Sequence, residues 1–356
     1  MLPDSRAAGF PLFLAPMAGV TDLVFRQLCK EHGADVLTTE FVSADGILHR
    51  NVRTREYVEF DATLERPLGV QLFGGDPERL AEAARAVVGW VQPDFIDLNF
   101  GCPVNKVVAR NGGSSLLKDC PLLEAVARAV VRAVAEETGG RTPVTAKIRI
   151  GWDERSVNAV SVARLLEGAG IARLAVHGRT KSQGYSGQAN WDVIAQVAAS
   201  VQMPVVGNGD IASARDVQHR RDTAGVAGVM IGRAAMGAPW IFAQAKAFLA
   251  MGETVPDPTP EERWALVLRH CRLAVARRAR SVGGSHGAGN GERAAMASMR
   301  ARLMAYTRGL EGGRGLRGQL SHVASVAELE GIAAAHLEAV AAGVYAGTEV
   351  ELALES

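Results

Sequence analysis

The chain has few cysteines and none in close pairs. Its four, Cys29, Cys102, Cys120 and Cys271, show no CxxC spacing in 356 residues. That argues against a disulfide framework and against a zinc ribbon, so no metal site is expected and a reducing cytoplasm is the expected compartment. Long apolar runs are missing as well. No stretch approaches the ~20 residues of a membrane span. Phe10–Val20 is apolar, but Asp4 precedes it and Pro11 and Pro16 interrupt it, which argues against a secretory signal. The first strand candidate is followed by no GxGxxG turn, which a doubly wound dinucleotide-binding sheet would usually show. Ala15-Pro16-Met17-Ala18-Gly19 stands there instead.

One region also lacks a charge type. Between Arg263 and Arg317 there is no lysine, and only Glu292 and Glu311 are acidic, against twelve arginines. Leaving histidine aside, that segment carries +10. The whole chain carries +1, so the remainder sums to −9. A mildly acidic body with a basic appendage points to a polyanionic partner. The bland alternative is a solvated helix face, but such faces usually interleave Glu, and this one hardly does.

From Phe13 to about Ala235 the chain alternates β-type runs with amphipathic stretches. The strand candidates are Leu12–Met17, Val36–Val42, Leu68–Phe73, Phe95–Phe100, Val144–Ile150, Arg173–His177, Pro204–Gly207 and Gly228–Ile231. Helical patterns such as Pro77–Trp90, Leu122–Glu137 and Val157–Gly168 fall between them. Eight βα units predict a TIM (β/α)8 barrel, with a doubly wound sheet as the alternative. The barrel is expected over 1–251. A Pro-rich linker covers 252–262, and strand signals vanish beyond it. Helical patterns at Glu261–Arg280, Glu292–Arg308 and Val326–Ala342 predict a small all-α bundle over 263–356, with a glycine-rich loop at Gly283–Gly291.

Active groups of a barrel come from the C-terminal ends of its strands. Those ends collect Met17, Glu40, Gln71, Asn99 with Cys102, Lys147 with Arg149, His177 with Arg179, Asn208 with Asp210, and Gly232 with Arg233. Strands of any barrel end in polar residues where they meet water, so the arrangement matters more than the density. The seventh and eighth candidates end in Gly207-Asn208-Gly209-Asp210 and Gly232-Arg233, where barrels often bind phosphate through backbone N–H groups. Lys147 faces either an electron-rich flavin edge or a carbonyl carbon that would form a Schiff base. Cys102 sits at a turn after Asp97-Leu98-Asn99-Phe100-Gly101, as nucleophile, proton donor or plain packing.

Taken in order, these stretches resemble the tRNA-dihydrouridine synthases, most closely the bacterial B-type group. The resemblance runs through Ala15–Asp22, Val70–Gly74, Asn99–Val107, Lys147–Trp152, His177–Thr180, Gly207–Ile211 and Met230–Ala235. The helical region matches only through its length and Tyr306-Thr307-Arg308-Gly309. The resemblance implies a cytoplasmic, FMN-dependent enzyme that reduces the C5=C6 bond of uridines in tRNA, with NADPH or NADH as reductant. Pro16, Met17 and Ala18 would line the flavin, Gln71 would bond its ring edge and Lys147 would bind it. His177, Asn208, Gly209, Asp210, Gly232 and Arg233 would complete the ring and phosphate environment. Asn99 would help position flavin or base on the substrate side, where Arg179 is also expected. Cys102 would be the catalytic acid. Phe100 stands where B-type relatives carry Met, and the Gly283–Gly291 insert is unfamiliar.

Arg293 and Arg300 share one helical stripe and are the expected RNA contacts. No feature points to a protein partner or a membrane, and a monomer is expected. Two other classes compete: a small-molecule flavin oxidoreductase of the dihydroorotate or old-yellow-enzyme type, and a non-catalytic RNA-binding protein. The basic appendage argues against the first. An intact Cys102, Lys147 and phosphate loop argue against the second. The modified position and the choice between NADPH and NADH stay open.

Overall fold

The β-type runs become nine strands: β1 Leu12–Leu14, β2 Leu37–Thr38, β3 Val42–Ser43, β4 Leu68–Phe73, β5 Phe95–Phe100, β6 Val144–Arg149, β7 Leu174–His177, β8 Val205–Asn208 and β9 Gly228–Ile231. This is a computed structural model that describes residues 9–49, 52–103, 112–281 and 288–345. Residues 104–107 of the Asn99–Val107 motif, and 283–287 of the glycine-rich insert, lie outside the described residues. Helices punctuate the strands: α1 Leu23–Glu31, α2 Ala44–Leu48, α3 Val52–Val58, α4 Pro77–Val91, α5 Cys120–Thr138, α6 Ala159–Gly168, α7 Trp191–Ser200 and α8 Ala214–Thr223. After β9 come α9 Arg233–Gly237, α10 Ile241–Met251, α11 Pro260–Ser281, α12 Ala288–Tyr306, α13 Gly313–Leu320 and α14 Val326–Ala341. The chain divides into two compact units, Met1–Gly232 with Ile241–Glu253, and Arg233–Trp240 with Thr254–Ser356.

The first unit is the parallel barrel. Its strands pair in the order β1-β9-β8-β7-β6-β5-β4-β2, with β3 beside β4, and every pairing is parallel. The circle closes where Phe13 bridges Val36 and Leu14 N–H donates to the Val36 carbonyl at 3.0 Å. Strands buried on both faces read as near-continuous apolar runs. Their outward residues, such as Leu68, Val70, Ile96, Leu98, Ala146, Ile148 and Val176, are fully buried. Local signals start the helices. Asp76 caps α4 by accepting from Arg79 N–H, with Pro77 in the first turn, and Asp119 caps α5 by accepting from Leu122 N–H.

The single second-strand candidate divides into β2 and β3. Leu37 and Thr38 pair with Leu68 and Gly69, whereas Val42 and Ser43 pair with Leu72 and Phe73. Three residues therefore face two, and the ladder cannot continue. The Thr39 hydroxyl replaces it by accepting from Gln71 N–H at 3.1 Å.

Successive strand residues alternate between faces. The inner face begins with an apolar floor, where Phe13, Phe95, Ala175, Val206 and Met230 cluster. Gly69 is required there, because a Cβ would come within 2.0 Å of the Phe95 ring. The Arg173 guanidinium lies 4.8 and 4.7 Å from the Phe13 and Phe95 ring centroids. Above the floor the same face turns polar.

All regular elements of the second unit, among its described residues, are helices. Its core joins Trp240, Trp264, Cys271, Met296, Met299, Leu303, Tyr306, Leu316 and Leu320. Gly237 admits a close approach, since a Cβ there would sit 2.5 Å from the Ala305 carbonyl oxygen. Trp264 Nε1–H donates to His336 Nδ1 at 3.0 Å, so Nε2 carries the proton given to the Glu311 carbonyl at 2.9 Å. The α11 helix starts at Pro260, inside the stretch expected to be linker, and α12 starts at Ala288, inside the stretch expected to be loop.

Candidate active site

Parity along the strands decides which side chains reach the barrel mouth. On β5 the inward residues are Phe95, Asp97 and Asn99; on β6 they are Thr145, Lys147 and Arg149. Asn99 pairs in register with Lys147, Arg149 with His177, and His177 with Asn208. Residues far apart in sequence thus become neighbours at the C-terminal ends.

Cys102 follows β5 and is 5% exposed. Its backbone N–H donates to Asn99 Oδ1 at 2.8 Å, and that oxygen also accepts from Gly101 N–H at 3.0 Å. Ser114 grips the other side, with its N–H and hydroxyl both donating to the Cys102 carbonyl at 3.1 and 2.8 Å. Asn99 Nδ2 donates to Gln71 Oε1 at 2.8 Å, and Gln71 Nε2 donates to Asp97 Oδ2 at 2.7 Å. Thr145 Oγ1 takes the second Asp97 oxygen. Burial raises the Asp97 carboxyl above the usual range, opposed by these hydrogen bonds and by Arg173 and Lys147.

Lys147 keeps some exposure toward the barrel mouth, yet its amine lies deep enough for desolvation to dominate. Burial, then the nearby Arg149 cation, lower it to about 7, while Asp97 and Cys102 oppose the shift. No carboxylate among the described residues pairs with this ammonium.

The loop between β7 and α7, residues 178–190, is braced from below by two arginines. Arg149 donates from Nε to the Gly101 carbonyl at 3.1 Å and from Nη1 to the Thr180 and Gly184 carbonyls, both at 2.8 Å. Arg179 makes a two-pronged pair with Asp210 at 2.8 and 2.9 Å, and donates to the Ser186 and Gly187 carbonyls. Its guanidinium is almost wholly buried. Arg179 and Asp210, expected at substrate and cofactor respectively, thus come together as partners, and Asp210 also accepts from Ala189 N–H at 2.7 Å. At the loop tip Tyr185 is 58% exposed, over Arg149 at 5.8 Å and beside the His177 ring at 6.5 Å.

The remaining predicted residues occupy neighbouring strand ends. Asn208 Nδ2 donates to the Met230 carbonyl at 2.8 Å. Gly209 has φ +126° and a Cβ would lie 2.6 Å from Ala189 Cβ, so no other residue fits. A Cβ on Gly232 would lie 3.5 Å from Ala15 Cβ and 3.7 Å from Met17 Sδ, which brings the ends of β9 and β1 together. Met17 packs against the floor cluster, Pro16 is half-buried and Ala18 is exposed. Arg233, Arg293 and Arg300 belong to the second unit and are exposed. Sequence reasoning by strand ends missed Asp97, Thr145, Ser114 and Tyr185. Parity with Asn99 would have found Asp97, an acid in an otherwise apolar run.

The family model described as "Dihydrouridine synthase (Dus)" matches residues 13–341. Over 259 residues the chain is 43% identical to tRNA-dihydrouridine synthase B of Pseudomonas syringae pv. tomato, covering 73% of this chain and 74% of that one. It is 44% identical to the protein of the same name from Pseudomonas aeruginosa, covering 73% and 76%. A probable tRNA-dihydrouridine synthase from Rickettsia conorii is 38% identical over 275 residues, covering 76% and 80%. With a parallel barrel whose strand ends carry Cys102, Lys147 and His177, and a match that runs through both units, the chain belongs to the dihydrouridine synthase (Dus) family of oxidoreductases.

Proposed function

We propose that the chain reduces the C5=C6 bond of uridines in tRNA to 5,6-dihydrouridine, with FMN as cofactor and NADPH or NADH as reductant. Family membership and the names of the relatives support the reaction. The donor set at the barrel mouth supports the cofactor. It offers the Lys147 amine without a carboxylate partner, the Asn208 amide, the His177 imidazole and the apolar Met17, backed by the buried Gln71 and Asn99 amides, which already bond each other. Such a set suits a flat heterocycle that gains negative charge on reduction.

When bound, FMN would supply the hydride that adds to uracil C6, and NADPH or NADH would recharge it. Lys147 and Gln71 would hold the ring edge, with Pro16, Met17 and Ala18 lining it. His177, Asn208, Gly209, Asp210, Gly232 and Arg233 would complete the ring and phosphate environment. Asn99 would help orient the base, and Arg179 would act on the substrate side by fixing the 178–190 loop. Cys102 would deliver the Sγ proton to C5, and its thiolate would regain a proton from solvent before the next turnover. General acid catalysis of this kind contributes roughly 10²–10⁴ in rate. The uridine must leave its stack, at a cost of a few kcal/mol. Exposed arginines of the second unit, Arg293 and Arg300 among them, would hold the RNA backbone meanwhile. A tRNA substrate would place this work in the cytoplasm.

The observation that carries the reading is Cys102, held by Asn99 and Ser114 at the strand end next to Lys147. The test is dihydrouridine formation in unmodified tRNA with FMN and NADPH, followed by mass spectrometry. Cys102→Ala should keep FMN binding and NADPH oxidation and lose at least about 10²-fold in uridine reduction. Equal dihydrouridine yields from mutant and parent in a single turnover would reduce Cys102 to a packing residue. No product from the parent on any tRNA would overturn the function itself.

A further inference from the structure

We propose that Asp97 is a positioning residue for Cys102: its carboxylate closes the hydrogen-bond chain through Gln71 and Asn99 that holds the Cys102 loop. The role given to Cys102 rests on the function proposed above; the hydrogen-bond chain does not.

The argument runs from the end whose polarity is fixed. The backbone N–H groups of Gly101 and Cys102 can only donate, and both point at one Asn99 side-chain atom, at 3.0 and 2.8 Å. That atom must be the oxygen. The other end of the Asn99 amide is then NH₂, and its partner on Gln71 at 2.8 Å must be an oxygen. This leaves the Gln71 NH₂ facing Asp97 at 2.7 Å. Only an acceptor at position 97 closes the chain. Asp97, Gln71, Asn99 and Cys102 are all buried, so water cannot substitute along the side-chain links without a rearrangement. If position 97 offered no acceptor, the Gln71 NH₂ would be left buried without a partner, and the side chain would swing away to relieve that desolvation cost. Asn99 Nδ2 would then lose its Gln71 acceptor, and the Asn99 side chain would no longer be pinned against the Gly101 and Cys102 N–H groups. The Cys102 loop would be loosened at both anchors on that side. Gln71 and Asp97 are cross-strand partners, and Asp97 and Asn99 share one face of β5, so the relay is built into the sheet.

A competing role is charge. Asp97 lies near Lys147 and Arg173 and could serve only to balance them. Asparagine separates the two roles. Asp97→Asn removes the charge but can keep an oxygen toward Gln71 and turn its NH₂ toward Thr145, whose hydroxyl can accept. Asp97→Leu removes both charge and acceptor. Asp97→Val, shorter and suited to a strand, is measured beside it in case leucine prevents folding.

The experiment uses full-length protein loaded with FMN. It reads amide hydrogen exchange at Gly101 and Cys102, single-turnover uridine reduction at saturating tRNA, and tRNA affinity. For Asp97→Asn, exchange and reduction are expected within about threefold of the parent, whereas Asp97→Leu or Asp97→Val speeds that exchange at least about tenfold and slows uridine reduction by roughly 10²-fold with tRNA affinity unchanged. If Asp97→Asn loses protection and rate as leucine does, charge is the role and the relay is overturned. Parent-like exchange in Asp97→Leu or Asp97→Val overturns it as well. A parent that does not reduce uridine defeats the functional reading alone, because the exchange measurement still decides the relay.

Discussion

A cation without a carboxylate partner destabilises a buried site, and Lys147 carries that penalty below neutral pH. Its amine is lowered from 10.5 to about 7, chiefly by burial. Below pH 7 both folded and unfolded chains hold the proton, and the full penalty applies. Between pH 7 and 10.5 the unfolded chain binds more protons, so stability rises with pH across that window. The expected outcome is that Lys147→Met stabilises flavin-free protein at pH 6 by on the order of a few kcal/mol, read as a higher melting temperature, and that the gain shrinks by pH 9. A variant less stable than the parent at both pH values would mean that Lys147 is held by contacts that outweigh its desolvation. The buried ion pair shows the opposite balance. Arg26 Nε lies 2.6 Å from Glu65, and the same guanidinium serves the Thr21 and Glu59 carbonyls. Arg26→Met should cost about 3–5 kcal/mol, read as a fall in denaturation midpoint, because it strands a buried carboxylate. Lys147 was legible in the sequence because it ends a strand. Arg26 and Glu65 were not, since nothing in either residue's local pattern marks a partner 39 positions away.

At the scale of elements, periodicity worked where one face or both had to be apolar. β4, β5 and β9 occupy the residues expected of them, because alternation and β-branching fix a buried strand. The split between β2 and β3 was illegible, because it arises from a one-residue mismatch against β4 that neither strand carries alone. Helix α13 was illegible for another reason. Gly313, Gly315 and Gly318 read as loop by propensity, and the helix is held by tertiary burial of Leu316 and Leu320. The 178–190 loop shows how an irregular element can be rigid. Its carbonyls are held by Arg149 and Arg179, and Arg179 is fixed by Asp210. Asp210→Ala leaves a buried guanidinium with only carbonyl partners and should cost about 2–3 kcal/mol, less than a fully buried pair because Asp210 is partly exposed. The loop should then open before the barrel does. Trypsin should cut after Lys181 at least about tenfold faster in the variant, with exchange in β5 and β6 unchanged. Cleavage at the parent rate would show that backbone hydrogen bonds alone hold the loop.

At the scale of the whole molecule, positive charge is concentrated in residues 263–317 of the second unit, and the sequence made that concentration legible because it needs no partner in space. Burial then sorts the arginines, which composition could not do. Arg263 is buried and paired with Asp257 at 2.7 Å, and Arg302 is buried against Met299. Arg272 reaches Glu330 at 2.7 Å. Arg293 and Arg300 are exposed on α12, whose adjacent face buries Met296, Met299, Leu303 and Tyr306. Neither has an ion pair among the described residues. An arginine without a carboxylate is open to a phosphate, and each phosphate neutralised contributes about −0.7 to −0.9 to the slope of log affinity against log salt. Replacing Arg293 and Arg300 together by Gln should therefore weaken tRNA binding and flatten that slope by up to about two units. Gln keeps helix propensity, and the buried face of α12 is untouched, so the melting temperature should stay within a degree or two, as for surface changes of at most about 0.5 kcal/mol. NADPH-driven flavin reduction should be unchanged, since neither residue belongs to the barrel. A variant that melts earlier while its salt slope matches the parent's would assign these arginines to folding rather than to RNA. Titrating tRNA at several salt concentrations beside a thermal melt separates the two outcomes.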